Sequence, residues 1–248
     1  MTNADIQRAL LARGFDLGKS GPNKDGVDGL IGDKTRTAIK AVQRAAGLAV
    51  TGMVDPATAA LLATTRPAAD ARPAGIVPAL WMPDAEIKGI VVHWTAGAHR
   101  ASTLDREHYH VLIESDGKLV RGIPTIDLNG LPKARAGYAA HTLNCNTGFI
   151  GVSLCCMAGA TEQPFNAGIA PMTREQWEKL PLVLADLCRR YSIPVTPKTV
   201  LSHAEVQGTL GIKQKGKIDI MWVPGMARMG SAVAIGDQFR AATAALLP

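Results

Sequence analysis

The chain has 248 residues, of which 47% are hydrophobic and 19% are charged. This balance is typical of a folded protein and excludes a wholly disordered chain, and the length suits one large domain or two modest ones. The net charge of +6 favours a polyanionic partner. The basic residues are scattered and are not interleaved with aromatic residues, so we expect no nucleic-acid partner.

The sequence lacks the patterns that are typical of membrane insertion or export. No apolar run approaches the roughly 20 residues that cross a bilayer. The N-terminal residues MTNADIQRALLARGF form an amphipathic helix pattern and lack the apolar core of a secretory signal. We therefore expect a monomeric protein that is made in the cytoplasm without a signal peptide and is not inserted into a membrane.

Four cysteines, at positions 145, 155, 156 and 188, occur without CxxC spacing. In a cytoplasmic product such cysteines are expected to be free thiols that pack as small hydrophobic residues. The apolar run IGVSLCC contains Cys155 and Cys156, which favours burial of at least one of them.

The first 64 residues carry three helix patterns. The spacing of apolar residues predicts helices over residues 4–13 and from Lys34 to about Ala46. A third helix is predicted from Pro56 to about Ala63, with Asp55 as its N-cap and Pro56 in the first helical position. Three prolines with Ala, Thr and Asp then predict a linker over residues 65–80, so we expect a second domain over residues 81–248.

A phrase occurs twice in this N-terminal region: DGLIGDKT over residues 28–35 and TGMVDPAT over residues 51–58. In each copy a glycine supplies turn geometry, and the phrase leads directly into a helix. The repeat predicts two similar turn-to-helix junctions.

The stretch DGLIGDKTRTAIKAVQRAAGLAVTGMVDPAT resembles the type 1 peptidoglycan-binding domain, a three-helix module. The resemblance covers about residues 3–63. The stretch departs from the family pattern at Val42, Thr51 and Asp55. The resemblance implies that this module binds the bacterial cell wall. The wall-binding residues that it implies belong to the first phrase and are Asp28, Gly29, Gly32 and Thr35.

Strand and helix patterns alternate in the second region, which predicts an α/β domain with a mixed sheet flanked by helices. Strands are predicted over Ile87–Thr95, Tyr109–Glu114, Lys118–Gly122, Gly148–Cys156 and Val200–His203, and helices over Thr173–Tyr191 and Gly236–Leu247. The sequence Ser115-Asp116-Gly117 predicts a hairpin turn, and Thr173 with Gln176 forms a capping-box pattern.

All six histidines, at positions 93, 99, 108, 110, 141 and 203, lie in the second region. His93 and His203 each close a predicted strand, where a rigid backbone can present a side chain to a cleft. Two such imidazoles and one anionic group would make the three-ligand set of a catalytic zinc site, which leaves the fourth position for water. His99 and His108 are expected to be exposed.

Five sequence blocks in the second region resemble the type 2 N-acetylmuramoyl-L-alanine amidases, in family order over about residues 85–226. The blocks are VVHWTAG, HYHVLIESDGKLVRG, AAHTLNCNTGFIGVSL, LSHAEV and GKIDIMWVPG. The resemblance implies one zinc ion per chain, held by His93, His203 and Asp219. The spacing from His203 to Asp219 is longer than is usual for the family, so the extra residues QGTLGIKQKG are expected to form a loop. Glu205 is a rival ligand, but it lies too close to His203 along a strand to be favoured.

The resemblance also implies the catalytic groups. Zinc lowers the pKa of water and polarises the amide carbonyl, and the resulting oxyanion needs a second donor beside the metal. Lys217 is charged and lies two residues from Asp219, and Tyr109 matches the tyrosine that assists the reaction in the phage and animal branches. A further branch uses a glutamate where this chain has Ser153, which argues for the tyrosine and lysine version.

Substrate contacts are implied for a histidine and a polar loop. His141 matches a histidine that lines the cleft of the phage enzymes. The loop that contains Asn144, Asn146 and Thr147 abuts the substrate groove in the family, so Asn144 and Thr147 are expected to contact the peptide stem, although turn chemistry would also explain these residues. His110 alternates with Tyr109, so at most one of them faces the cleft.

These features predict zinc-dependent hydrolysis of the amide between the lactyl group of N-acetylmuramic acid and L-alanine in peptidoglycan. The combination with a wall-binding module resembles a phage endolysin, which lyses the host cell after release from the cytoplasm to the wall. Three alternatives stay open: a zinc peptidase that acts on the stem peptide, a non-catalytic peptidoglycan-recognition protein, and a cysteine peptidase with Cys145 as nucleophile.

Overall fold

The computed structural model describes residues 1–11, 13, 15–63 and 75–247. The described chain forms two compact units, one that contains the first three helices and one that contains every strand. The predicted linker, residues 65–80, lies largely outside the described residues. No helix among the described residues is both long and apolar enough to span a membrane.

The helices and the strands are numbered separately, each in chain order. The helices are α1 (Asn3–Leu11), α2 (Asp33–Ala45), α3 (Pro56–Ala63), α4 (Thr103–His108), α5 (Arg174–Tyr191), α6 (His203–Leu210) and α7 (Ala232–Ala244). The strands are β1 (Gly89–Trp94), β2 (Val111–Ile113), β3 (Leu119–Arg121), β4 (Phe149–Leu154) and β5 (Val200–Ser202).

The N-terminal unit packs α1, α2 and α3 around a small apolar core. The buried residues of this core come from all three helices and from the loop after α1: Ile6, Leu10, Leu17, Ala38, Ile39, Val42 and Leu62. Asp55 caps α3, as predicted, because its Oδ1 accepts a hydrogen bond of 2.7 Å from the backbone N–H of Thr58.

A buried glutamine braces each copy of the repeated phrase. Gln7 of α1 donates from Nε2 to the carbonyl of Leu30 (2.9 Å) and accepts at Oε1 from the N–H of Gly29 (2.7 Å). Gln43 of α2 donates in the same way to the carbonyl of Met53 (2.7 Å) and accepts from the N–H of Gly52 (2.9 Å). The repeated sequence therefore builds one hydrogen-bonded turn twice.

The second unit is built on a five-stranded mixed sheet in the order β3-β2-β4-β1-β5. The central strand β1 is parallel to β4 and to β5, with His93 opposite Ser153 and Val92 opposite Ser202. Strand β2 is parallel to β4, and β3 closes the predicted hairpin as an antiparallel edge strand. The predicted fold class, a mixed sheet flanked by helices, is confirmed.

The two faces of the sheet pack against different helices. Alternate residues of β1, such as Ile90 and Val92, join the main core with Leu184 of α5 and Phe239 of α7. Val91 faces the other way and packs in a smaller core with residues that include Val206 of α6. His93 lies two residues after Val91 and therefore projects from the α6 face.

The segment after β5 differs from the expectation. His203 does not end a strand but begins helix α6, and the first residues of the predicted loop QGTLGIKQKG belong to this helix. The cause is local: the carboxylate of Glu205 accepts from the N–H and the hydroxyl of Ser202, which starts the helix. The sequence patterns do not predict the short helix α4. Helix α7 begins at Ala232 rather than at the predicted Gly236, because Ser231 caps it.

A buried ion pair attaches α6 to α7. Arg240 of α7 donates to the carboxylate of Glu205 at 2.9 and 3.2 Å and to the carbonyl of Val200 at 3.0 Å. A Cβ atom at Gly236 would collide with that carboxylate, so glycine is required for the close approach. Glu205 therefore stabilises the start of α6.

We predict that Arg240→Ala lowers the free energy of unfolding of this unit by about 3–5 kcal/mol, because it leaves the buried carboxylate of Glu205 without its partner. Chemical denaturation measures the loss. The control Asp237→Ala removes an exposed partner of the same arginine and should cost less than about 1 kcal/mol. Equal losses in the two variants would contradict this account.

Candidate active site

Three side chains that are distant in sequence meet at one edge of the sheet. His93 lies near the carboxyl end of β1, and His203 follows the carboxyl end of β5 directly. Because β1 and β5 are parallel neighbours, both ends lie at the same edge, where α/β proteins bind their ligands. Asp219 reaches this edge from the segment after α6.

The side-chain nitrogen and oxygen atoms of this group are close enough to share a metal ion. One ligand atom from each of His93, His203 and Asp219 lies within 4.8 Å of the other two, and all three residues are buried. Nδ1 of His93 is 3.8 Å from Oδ1 of Asp219, and Nδ1 of His203 is 3.6 Å from Oδ2. Nδ1 of His93 has no hydrogen-bond partner among the described residues, which is the state expected of a metal-ligating nitrogen.

The second ring nitrogen of each histidine contacts the protein. Nε2 of His93 is 3.3 Å from Nδ1 of His141 and 3.3 Å from Oγ1 of Thr142. Nε2 of His203 is 3.0 Å from Oε1 of Gln214. Hydrogen bonds of this kind orient metal-ligating histidines, so both rings are held with Nδ1 facing the carboxylate.

The electrostatic environment keeps His203 neutral and Asp219 ionised. Burial lowers the pKa of His203 to about 4, and the neighbouring His93 adds to this effect. Burial alone would raise the pKa of Asp219, but His93, His203 and Lys217 outweigh it and hold that pKa below its ordinary value. A metal cation binds histidine in its neutral form and a carboxyl group in its ionised form.

Tyr109 lies beside the three residues. Its ring centroid is 5.1 Å from that of His93, and the residue is half-buried. Burial, and then the charge of Asp219, raise the pKa of the Tyr109 hydroxyl far above its ordinary value. The phenol is therefore a hydrogen-bond donor at neutral pH.

An open cleft of about 730 Å³ lies next to this group. The predicted site residues His141, Asn144, Thr147 and Lys217 all line it, and so does His203. The described lining also contains Lys133 and Lys215 but no aspartate or glutamate, so the cleft suits an anionic ligand.

The predicted substrate residues differ in exposure. Asn144 is exposed and has a positive φ of 55°, whereas Thr147 is half-buried and accepts at Oγ1 from the N–H of Ala134 (3.3 Å). His141 is buried, and a Cβ atom at Gly151 would come within 2.6 Å of its ring. His141 therefore touches both the cleft and His93, a contact that the sequence did not indicate.

His110 is buried behind the cleft and does not line it. Its Nδ1 accepts from the N–H of Gly151 (2.9 Å), so its Nε2 carries the proton and donates to Oδ1 of Asn129 (2.9 Å). Burial lowers the pKa of His110 to about 4. Of the histidines expected to be exposed, His108 is exposed and His99 is half-buried.

The predicted wall-binding residues lie in the first glutamine-braced turn and at the start of the helix that follows it. Oδ1 of Asp28 accepts from Gln7 (2.7 Å) and from the N–H of Leu30 (2.9 Å). Gly29 has a positive φ of 77°, Gly32 is the residue before α2, and Thr35 is buried. Asp28 and Gly29 therefore belong to the turn itself, whereas Gly32 and Thr35 belong to the start of α2.

The four cysteines are free and buried, as predicted. Burial raises the pKa of Cys145 to about 11, so this thiol is protonated at neutral pH. A protonated, buried thiol is a poor nucleophile, which argues against a cysteine peptidase.

Comparisons with known proteins identify the family. Residues 83–219 match the family model of N-acetylmuramoyl-L-alanine amidases, and residues 4–62 match that of a putative peptidoglycan binding domain. The first match alone spans more than half of the chain. No curated protein sequence matches the chain significantly.

Solved structures of amidases resemble parts of the chain. The N-acetylmuramoyl-L-alanine amidase LysC from Clostridium intestinale URNW is 17% identical, with 52% of this chain and 88% of that chain covered and a TM-score of 0.32. The amidase AmiD from E. coli, in complex with the substrate anhydro-N-acetylmuramic acid-L-Ala-D-gamma-Glu-L-Lys, is 21% identical, with 54% and 52% covered and a TM-score of 0.35.

The fold and the family match define an enzyme of peptidoglycan degradation. The chain belongs to the family of N-acetylmuramoyl-L-alanine amidases and carries a peptidoglycan-binding domain in front of the amidase domain. Peptidoglycan is therefore its partner.

We predict that His110 makes the fold sensitive to acid. Its pKa is about 4 in the folded chain against an ordinary value of 6.5, so between these pH values the unfolded chain binds more protons at this residue. The free energy of unfolding should therefore fall as the pH falls from about 6.5 to 4, by up to about 3 kcal/mol from this residue. In denaturation curves at several pH values, His110→Gln should show a shallower decline than the wild type, and parallel declines would contradict the prediction.

Proposed function

We propose that this chain is a zinc-dependent amidase that hydrolyses the bond between the lactyl group of N-acetylmuramic acid and L-alanine. The observation that carries the proposal is the buried group of His93, His203 and Asp219, whose ligand atoms lie within 4.8 Å of one another. The family match supplies the reaction class.

The donor set fits zinc. Catalytic zinc sites have three protein ligands from histidine and carboxylate groups and one open position. Ligand atoms at about 2.0–2.2 Å from a tetrahedral ion lie roughly 3.3–3.6 Å apart. Nδ1 of His93 lies 3.8 Å from Oδ1 of Asp219 and Nδ1 of His203 lies 3.6 Å from Oδ2, so each nitrogen is near this spacing from one carboxylate oxygen. When bound, zinc supplies a Lewis acid for the amide carbonyl and lowers the pKa of a water molecule.

Tyr109 and Lys217 are suited to the charge that develops on the amide oxygen during hydrolysis. The raised pKa of Tyr109 keeps its hydroxyl protonated beside His93, so it can donate a hydrogen bond to that oxygen. Lys217 lines the cleft two residues from Asp219 and brings a positive charge. Donors of this kind stabilise an oxyanion without reorganisation during the reaction.

The cleft suits the stem peptide of peptidoglycan. Stem peptides carry free carboxylates, and Lys133, Lys215 and Lys217 line the cleft without a carboxylate among its described lining residues. We propose that Asn144, which is exposed, and Thr147 contact the peptide backbone in this cleft, with His141 at its base.

The assignment predicts that Asp219→Ala loses both zinc and amidase activity while the protein stays folded, because two histidines alone do not complete the ligand set. Metal analysis and mass spectrometry of digested muropeptides measure the two losses. Asp116→Ala is the control, since it removes a half-exposed carboxylate of the same unit. Normal zinc content and turnover in Asp219→Ala would overturn the ligand assignment.

The same mass spectra separate the proposed reaction from its alternatives. An amidase frees the intact stem peptide with L-alanine at its N-terminus. Fragments cut within the stem would indicate a peptidase, and binding to sacculi without any release would indicate a recognition protein.

We also propose that residues 1–64 bind the wall, that residues 65–80 connect the domains, and that residues 81–248 perform catalysis. A groove of about 390 Å³ in the N-terminal unit supports the first part. Asn3, Arg36 and Met53 line it together with apolar residues, so it offers hydrogen bonding, positive charge and apolar contact to a sugar–peptide ligand.

We predict that Met53→Ser weakens the binding of the full chain to purified sacculi by about tenfold, because an apolar side chain that is 64% exposed loses its contact with the ligand. Leu30→Ser is a matched control. Leu30 occupies the same position in the first phrase and is 69% exposed, but it does not line the groove. Co-sedimentation measures the binding, and equal effects of the two variants would refute the groove as the binding site.

We finally propose that the protein acts as a phage endolysin, made in the host cytoplasm and active at the wall after release. The pairing of a peptidoglycan-binding domain with an amidase domain supports this role, because tethering raises the enzyme concentration at the wall. Lysis of expressing cells after the inner membrane is permeabilised, but not before, tests it.

A further inference from the structure

We propose that Gln214 is a positioning residue that fixes the tautomer of His203, so that the lone pair of Nδ1 faces the metal position. The inference rests on the proposed zinc site. Gln214 lies in the segment between α6 and Asp219, inside the extra residues that lengthen this part of the chain. It is 5% exposed although its side chain is polar.

The hydrogen bonds of Gln214 determine the orientation of its amide. Nε2 donates to the carbonyl of Leu143 at 2.9 Å and lies 3.4 Å from the carbonyl of Ile212. If the amide were rotated by half a turn, Oε1 would face these two carbonyl oxygens without a donor between them. Such a buried, unpaired contact is costly, so Oε1 must face His203.

The orientation of the amide decides where His203 carries its proton. Oε1 of Gln214 is an acceptor only and lies 3.0 Å from Nε2 of His203, so Nε2 must donate. A neutral imidazole carries one proton, and this hydrogen bond places it on Nε2. Nδ1 is therefore unprotonated, 3.6 Å from Oδ2 of Asp219.

Gln214 also links this ligand to the wall of the cleft. Leu143, whose carbonyl accepts from Gln214, directly follows His141 and Thr142, the two residues that contact Nε2 of His93. One buried amide thus contacts His203 directly and anchors the loop that orients His93. A metal ligand and the substrate cleft are held by the same side chain.

Zinc affinity of the full chain tests the proposal, measured by competition with a chromophoric chelator. Gln214→Met keeps the volume of the side chain but removes the acceptor, and we expect zinc to bind about 10–100-fold more weakly. Gln207→Ala is the control, since Gln207 accepts from the backbone N–H of Gln214 (2.8 Å) but does not contact His203.

A second readout separates positioning from structural support. In the zinc-free protein at pH 7, the ¹⁵N shifts of His203 should report the Nε2–H tautomer in the wild type and a mixture in Gln214→Met. The melting temperature of the zinc-free variant should stay near that of the wild type, while the increase on adding zinc should shrink.

The outcomes distinguish this inference from the proposed function. A wild type that binds no zinc overturns both. A wild type that binds one zinc ion, with Gln214→Met within twofold of it or with an unchanged His203 tautomer, overturns the role of Gln214 alone.

Discussion

Two parallel neighbouring strands that end at the same edge of a sheet are the constraint on which the active site depends. His93 and His203 are more than a hundred residues apart, yet their rings lie with centroids 4.7 Å apart because β1 and β5 pair in register. Asp219 supplies a buried negative charge between them. An uncompensated carboxylate in such a place would be costly, so the site needs the histidines, a cation or both to stabilise it.

The surroundings of the site serve mainly to orient it. Each histidine has one ring nitrogen facing Asp219 and the other held by the protein, through His141 and Thr142 in one case and through Gln214 in the other. His110 and Asn129 form a second buried layer behind His141. Hydrogen bonds that are fully satisfied in a low-dielectric interior are rigid, and rigidity of this kind is what a preorganised catalytic site requires.

The N-terminal unit solves a different problem, that of a small module with little core. A buried glutamine from the preceding helix satisfies the polar backbone groups of each repeated turn, and in the second turn this leaves the apolar side chain of Met53 free to face outward along the groove. Exposed apolar residues on a rigid turn are suited to recognition. Because Gln7 of α1 and Gln43 of α2 make the same hydrogen bonds, the repeat in the sequence is also a repeat in the structure.

The sequence by itself determined the features that depend on neighbours a few residues away. The pattern of apolar residues predicts α2, α5 and the strands of the sheet, and the Asp-Gly turn predicts the hairpin. The motif blocks indicate His93, His203 and Asp219 as a ligand set without any information about their positions in space. The capping box of Ser202 and Glu205 is also a local pattern and is sufficient to predict the start of α6. The apolar strand that ends at Ser202 makes His203 look like its last residue, and this hides the start of the helix. The tertiary structure alone decided which nitrogen of each histidine faces Asp219, that Glu205 pairs with Arg240, and that Gln214 and His141 orient the ligands. These contacts join residues that are at least 11 positions apart, and no local pattern records them because they arise when separate elements pack together.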